Sequence, residues 1–487
     1  MKICEKNMTF NECELMILRN AVDKGQEQIA KKKVNAPEIK EIMAIMESFI
    51  KDKKLICYGG TAINNILPVE DQFYNKDLEI PDYDCFSDKA MENAKQLADL
   101  YYKKGFTEVE AKAGQHYGTY KVFVNYIPVA DLTYLVPEIF NNMKKESIKI
   151  DGIFYAPPNF LRMSMYLELS RPEGDINRWE KILKRLVLLN KYYPLRGKKC
   201  REIQTQRIFE EPTPSDLRTL SDMSISSYLS ESRNKTKTSK HTETRKQTVT
   251  ESKTGTRKNK VALKTAENYN YDYSSQVYFV TRDSMIDQGV IFFGGFANAM
   301  FSRYMPKKSG YRVRRIPDFD VLSTDPLKTS TIVKERLEDA GVKNIEIIKH
   351  KKIGELISVH YEIRVGEDTV AFIYQPIACH SYNTIKMNGR LVKIATIDTM
   401  LSFYLAFYYI DRAYYDKNRI LCMSEYLFQV QQKNRLKQRG LLKRFSLECY
   451  GSQPTIEDIR AEKTRKYKEL KNKKDSKEYN MWFLRYI

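Results

Sequence analysis

The chain repeats itself, and the repeat limits what it can fold into. ICYGGTA at 56–62 returns as IFFGGFA at 291–297, an offset of 235. IPDYDCFS at 80–87 returns as IPDFDVLS at 316–323, an offset of 236, and IKIDG at 148–152 as IKMNG at 385–389, an offset of 237. The helix-like NFLRMSMYLEL at 159–169 parallels TIDTMLSFYLA at 396–406, again at 237. Collinear matches at nearly constant spacing mark a duplicated domain, so a fold assigned to one copy has to serve both.

Different sequence separates the copies. Residues 230–260 hold ten Lys/Arg, three Asp/Glu, twelve Ser/Thr and one large apolar residue, Val249. Such a stretch buries too little surface to offset its ordering entropy, which predicts a disordered basic insertion over 212–265. The flanking domains are then 1–200 and 266–425. A basic C-terminal segment follows at 426–487, with charged stretches at 433–444 and 460–474 that are expected to be helical. A chain of 487 residues is long enough for each copy to bury its own core.

The 82 Lys/Arg against 62 Asp/Glu leave a formal net charge of +20, which points to a polyanionic partner. A lysine-rich, solvated surface accounts for part of it. No stretch looks like a membrane span: the most apolar one, about 400–410, is too short and too rich in Tyr. The first residues lack the apolar core of a secretory signal. Eight cysteines without a C-x-x-C pair and five histidines without H-x₃-H spacing argue against structural zinc. Free, unpaired cysteines predict a reducing, intracellular compartment.

Within the first copy, helix and strand patterns alternate. Asn35 and Pro37 open a helix with Ile39, Ile42, Met43, Met46, Phe49 and Ile50 on one face. A short strand at 54–58 ends in Gly59-Gly60, and 61–66 starts another helix. Strands are expected at 81–86, 119–126 and 129–136. A helix at 176–190 should bury Ile176, Trp179, Ile182, Leu183 and Leu186, leaving Arg178, Lys181, Lys184 and Arg185 on its other face. The fold class is α+β, a mixed sheet with helices packed on it.

Asp82 and Asp84 flank Tyr83 on a predicted strand, so both carboxylates point to one face. Clustered carboxylates repel unless a cation neutralises them, and hard oxygen ligands suit Mg²⁺. Upstream, Gly59-Gly60-Thr61 closes a strand and opens a helix, where bare N–H groups and a hydroxyl can hold phosphate. Downstream, Asp131 sits between Ala130 and Leu132, a costly place for a carboxylate without a cation. A solvent-exposed strand-end Asp is the plainer reading of Asp131, as a simple turn is of the glycine pair.

Together the glycine pair, the D-x-D and the later strand Asp resemble the signature of the DNA polymerase β-like nucleotidyltransferases. The resemblance implies a duplicated nucleotidyltransferase fold in which Asp82, Asp84 and Asp131 ligate Mg²⁺ or Mn²⁺ and are the catalytic residues. Gly59, Gly60 and Thr61 would hold the β- and γ-phosphates of ATP, with Arg178 and Lys181 as further nucleotide contacts. The 21 residues between Gly60 and Asp82 exceed the usual spacing and leave room for an inserted helix or loop. The stretch 150–186, with RMSMYLELSRP followed by RWEKILKRL, is similar to poly(A) polymerases of poxviruses, asfarviruses and mimivirus relatives. That similarity implies template-independent addition of adenylate to an mRNA 3′ end in the cytoplasm, the viral factory or the virion. It also implies either a homodimer or a viral mRNA-processing partner, and no membrane. Other superfamily enzymes that make oligoadenylate or add to tRNA ends, and a non-catalytic RNA-binding protein, are the competing readings.

The second copy keeps Gly294, Gly295, Asp318 and Asp320. Aligning VADLTYL at 129–135 with VAFIYQP at 370–376 puts Phe372 opposite Asp131, and the glycine motif puts Phe296 opposite Thr61. A catalytically degenerate second copy follows, unless the strand match is misaligned and Glu367 or Asp368 supplies the carboxylate.

Overall fold

A computed structural model describes residues 4–200, 202–204, 276–305, 312–314 and 318–487. The expected insertion at 212–265 lies outside the described residues. The chain divides into two compact units. The first comprises Met1–Leu161, Arg185–Pro194 and Pro454–Ile487, and the second Arg162–Lys184 and Leu195–Gln453. The expected 426–487 segment is thus divided between them.

In the first unit the strands are β1 (Ile56–Cys57), β2 (Tyr83–Ser87), β3 (Val109–Ala113), β4 (Thr119–Val124), β5 (Ile127–Tyr134), β6 (Ile148–Ile150) and β7 (Ile153–Tyr155). In the second they are β9 (Ile291–Phe292), β11 (Phe319–Leu322), β12 (Ile345–His350), β13 (His360–Val365), β14 (Asp368–Tyr374), β15 (His380–Met387), β16 (Arg390–Ala395) and β17 (Cys449–Tyr450). Two short strands, β8 (Glu202–Gln204) and β10 (Arg312–Arg314), pair separately, and β18 (Arg485–Tyr486) closes the chain.

The first sheet runs β18-β3-β4-β5-β2-β1-β7-β6, and the second β12-β13-β14-β11-β9-β16-β15-β17. Apart from the added edge strands β18 and β17, the two orders correspond strand for strand. So do the directions: β2–β5 and β11–β14 are parallel, as are β1–β7 and β9–β16, and β1–β2 and β9–β11 are antiparallel. Even the tight turns match, with positive φ at Asp151-Gly152 and at Asn388-Gly389. The duplication read from sequence is a duplication of topology.

Helix α1 (Phe10–Val34) has no buried residue. Helix α2 (Pro37–Lys53), with Pro37 at its first turn, buries the six apolar residues expected of it. Then come α3 (Gly59–Ile66), α4 (Ala90–Lys103), α5 (Pro137–Glu146), α6 (Pro158–Leu169) and α7 (Trp179–Tyr192). The counterpart of α6 in the second copy, Ile397–Phe407, is buried on every residue.

Three expectations need correction. Ile176 is 49% exposed, because a 3₁₀ turn at Ile176–Arg178 precedes α7 and takes it off the helix's apolar face. The basic stretch 433–444 is not helical: a helix at Lys417–Lys433 ends there, and only the turn Gly440–Leu442 follows, whereas Ile456–Leu470 is a helix. The cysteines are not all unpaired. Disulfides join Cys4 to Cys13, Cys200 to Cys422 and Cys379 to Cys449, with Cα atoms 5.2–5.3 Å apart, and only Cys57 and Cys85 are free. Partners 222 and 70 residues apart in sequence carry no local spacing signal. Among the described residues no helix is long and apolar enough to cross a membrane.

Candidate active site

The site is built on β2 and β5, parallel neighbours at the middle of the first sheet. Their register sets Asp84 directly beside Asp131. Residues paired in register share a sheet face, so the two carboxylates stand together although 47 positions separate them. On the opposite face, their strand neighbours Tyr83, Cys85, Ala130 and Leu132 are buried behind the acids. Asp82 lies just before β2, half-buried at the rim, with its carboxyl partly shielded from water.

The electrostatics show close packing of like charge. Loss of water around Asp82 raises its pKa above the ordinary carboxylate value, the charge of Asp131 raises it further, and Lys121 on β4 opposes both. The Lys121 ammonium is ion-paired with Asp131, its register partner. Lys121 is a site residue that sequence reading missed. Its signal was present but weak, an alternating polar position on the strand before Asp131.

The glycine pair does more than turn the chain. Gly59 sits at φ +72°, and a Cβ there would come within 2.7 Å of Asp84 Oδ2. A Cβ on Gly60 would lie 2.5 Å from the Tyr74 hydroxyl and 3.0 Å from Arg185 Nη1. Bare backbone at both positions therefore lets the start of α3 approach Asp84 on one side and a guanidinium on the other. Thr61 is buried, and its hydroxyl donates 2.7 Å to the carbonyl of Asp82. That hydrogen bond holds the backbone of Asp82 in place.

The long spacing between Gly60 and Asp82 is accounted for by a loop carrying one 3₁₀ turn, Val69–Asp71. Asn64 Oδ1 on α3 accepts from the amides of Phe73 and Tyr74, at 2.8 and 2.9 Å, and pins that loop down. Tyr74 then accepts from Arg185 Nη2 at 2.8 Å, and the guanidinium lies 4.7 Å from the centre of the Phe73 ring. The expected helix face needs correction. Arg185, expected outward with Lys181 and Lys184, is buried with Ile182 and Leu186, while Trp179 and Leu183 are only half-buried. Arg185 is the cation at the glycine turn. Arg178 and Lys181 belong to the second unit, where Arg178 reaches Glu168 at 3.5 Å.

The donor chemistry of the three carboxylates suits divalent metal, although their oxygens do not all lie within 4.8 Å of one another. Asp82, Asp84 and Asp131 offer an all-oxygen donor set of excess negative charge with one lysine opposing it. A tighter three-donor cluster among the described residues, Glu173 with Cys379 and Cys449, fits no metal, since its sulfurs are bonded to each other.

The second unit has the same frame with other residues. Across β11–β14 Asp320 is beside Phe372, at the register position where Asp84 meets Asp131. Phe372 is fully buried. Arg419 Nη2 lies 3.9 Å from Asp318, and the Phe296 amide donates to the Asp318 carbonyl at 3.2 Å, where Thr61 uses its hydroxyl. Asp368, the proposed substitute carboxylate, is exposed at the far end of β14, paired with Val365.

A protein of African swine fever virus (strain Badajoz 1971 Vero-adapted), provisionally named a poly(A) polymerase catalytic subunit, is 34% identical over 188 residues, 37% of this chain and 39% of that protein. A protein of Acanthamoeba polyphaga mimivirus with the same provisional name is 33% identical over 200 residues, 38% of this chain and 33% of its own length. The aligned region thus spans well under half of these relatives. The crystal structure of the Megavirus polyadenylate synthase superposes with a TM-score of 0.68 at 20% identity, covering 96% of this chain and 85% of that one, and so shares the fold. Residues 44–175, which hold Gly59, Gly60, Asp82, Asp84 and Asp131, match the model of the poly(A) polymerase catalytic subunit family.

Proposed function

We propose that this chain is a template-independent RNA 3′-end adenylyltransferase that adds poly(A) to mRNA from ATP, with release of pyrophosphate. The observation that carries the reading is the in-register pair Asp84–Asp131 beside Asp82, inside the segment that matches the family. Divalent metal held by these three carboxylates, Mg²⁺ or Mn²⁺, would lower the pKa of the attacking 3′-hydroxyl and stabilise the leaving pyrophosphate. Lys121, ion-paired with Asp131, holds that carboxylate in orientation until the substrates arrive. Thr61 fixes the backbone of Asp82, which no strand pairing holds. Gly59 and Gly60 open the first turn of α3 to the triphosphate, and Arg185, seated on Phe73, offers planar N–H donors to the same group.

The partners on this reading are ATP, the mRNA 3′ end, and either a second copy or a viral mRNA-processing protein. The place of action is the host cytoplasm or viral factory, where the three cysteine pairs would be dithiols; virion packaging would favour the disulfides.

The test is a labelled primer RNA incubated with each nucleoside triphosphate in turn and Mg²⁺ or Mn²⁺. A ladder with ATP alone supports the proposal. Extension of a tRNA end only, primer-free oligoadenylate, or no product from folded protein would each overturn it.

A further inference from the structure

The register that joins Asp84 to Asp131 continues outward. Asp131 pairs with Lys121 on β4, Lys121 with Lys112 on β3, and Lys112 with Arg485 on β18. In-register residues share a face, so one row crosses the sheet from the carboxylates to its edge: Asp84, Asp131, Lys121, Lys112, Arg485. At a strand spacing of about 4.8 Å the cationic part reaches roughly 14 Å from Asp131. The three cations are progressively more open, with side chains 39%, 44% and 74% exposed. The last is supplied by the final strand of the chain, which returns from residue 454 onward to cover the β3 edge. Phe123 lies on the same face, its ring 4.2 Å below the Lys112 ammonium. Two carboxylates oppose the row: Asp131, paired with Lys121, and Glu110, 2.8 Å from Lys112 and 3.4 Å from Arg485.

We propose that Lys121, Lys112 and Arg485, with the Phe123 ring, form the track on which the 3′-terminal stretch of a single-stranded RNA lies as it enters the site at Asp131. Cations spaced along a line match a strand of phosphates. The Phe123 ring, one register row away beside Glu110, offers a base a stacking surface without selecting its identity once the Lys112 ammonium turns from it to a phosphate. Neither would serve ATP, whose phosphates belong at the glycine turn on the other side of Asp84. The inference rests on the adenylyltransferase reading for the identity of the strand, but not for its affinity.

The test measures binding of a labelled 15-nucleotide RNA, without ATP or metal, over a series of salt concentrations. The variants are Lys112→Ala with Arg485→Ala, Glu110→Gln, and Lys149→Ala as an exposed control on β6 at the opposite sheet edge. The double variant should bind about tenfold more weakly at low salt, and its log–log salt slope should fall by about 1.4, two contacts at about 0.7 each. Glu110→Gln should tighten binding. A slope equal to that of the unaltered protein, or an equal loss in Lys149→Ala, overturns the track. Failure of the unaltered protein to extend any primer would refute the adenylyltransferase reading while leaving this binding result to stand or fall separately.

Discussion

Phe372 lies beside Asp320 across β11–β14 where Asp131 lies beside Asp84 across β2–β5. The two copies agree in strand order, direction and turn geometry and part company in the chemistry of this site, here and where Phe296 replaces Thr61. A buried phenyl ring cannot ligate metal, and the Arg419 guanidinium stands 3.9 Å from Asp318. Asp82→Ala, Asp84→Ala or Asp131→Ala should therefore each reduce primer extension by about a thousandfold or more, the size of effect expected for groups acting only on the transition state. Asp318→Asn with Asp320→Asn should leave extension within about twofold. Steady-state extension rates beside melting curves check both. Loss of activity in the second-unit variant with an unchanged melting temperature would show that copy to be catalytic.

Thr61 donates its hydroxyl hydrogen to the Asp82 carbonyl. Thr61→Val keeps shape and removes the donor, which should cost about 1 kcal/mol of stability. If the hydroxyl positions Asp82, kcat should fall about tenfold with the KM for ATP unchanged. A raised KM with intact kcat would instead make Thr61 a phosphate ligand.

Asp82 has a pKa raised by desolvation and by the charge of Asp131. The folded state then binds more protons than the unfolded chain between the unfolded and the raised pKa, so stability falls as pH rises through that window. Asp82→Asn removes the ionisation. In metal-free buffer at pH 7 it should melt above the unaltered protein, and the gap should close as pH falls toward about 4, the unfolded carboxylate value. Mg²⁺ should raise the melting temperature of the unaltered protein and not of Asp82→Asn. Thermal melts over pH, with and without Mg²⁺, test this. A lower melting temperature for Asp82→Asn at pH 7 would contradict it.

Residues 230–260 carry ten of the 82 basic residues. Deleting them should leave single-nucleotide addition to saturating primer within about twofold, while weakening primer binding and flattening its salt dependence, by about 0.7 per lost phosphate contact. Identical slopes for the intact and shortened chains would make the insertion a spacer.

The sequence by itself determined whatever depends on neighbours along the chain. The six apolar positions of α2 recur at helical spacing, and Asp82 and Asp84 fall two apart where a strand must begin. The collinear repeats required one topology twice, and both sheets have it. The tertiary structure decided what depends on register between strands far apart in sequence. Asp131 becomes a partner of Asp84, and Phe372 of Asp320, only when parallel pairing fixes which residue meets which; one step of slip would turn either acid into the core. Lys121 next to Asp131 follows from the same register, as does the row that ends at Arg485. Arg185 reaches the glycine turn because the Asn64-pinned loop sets Phe73 and Tyr74 against its guanidinium. The cysteine pairings, up to 222 residues apart, carry no trace along the chain, because closure of a long loop is decided by the fold around it.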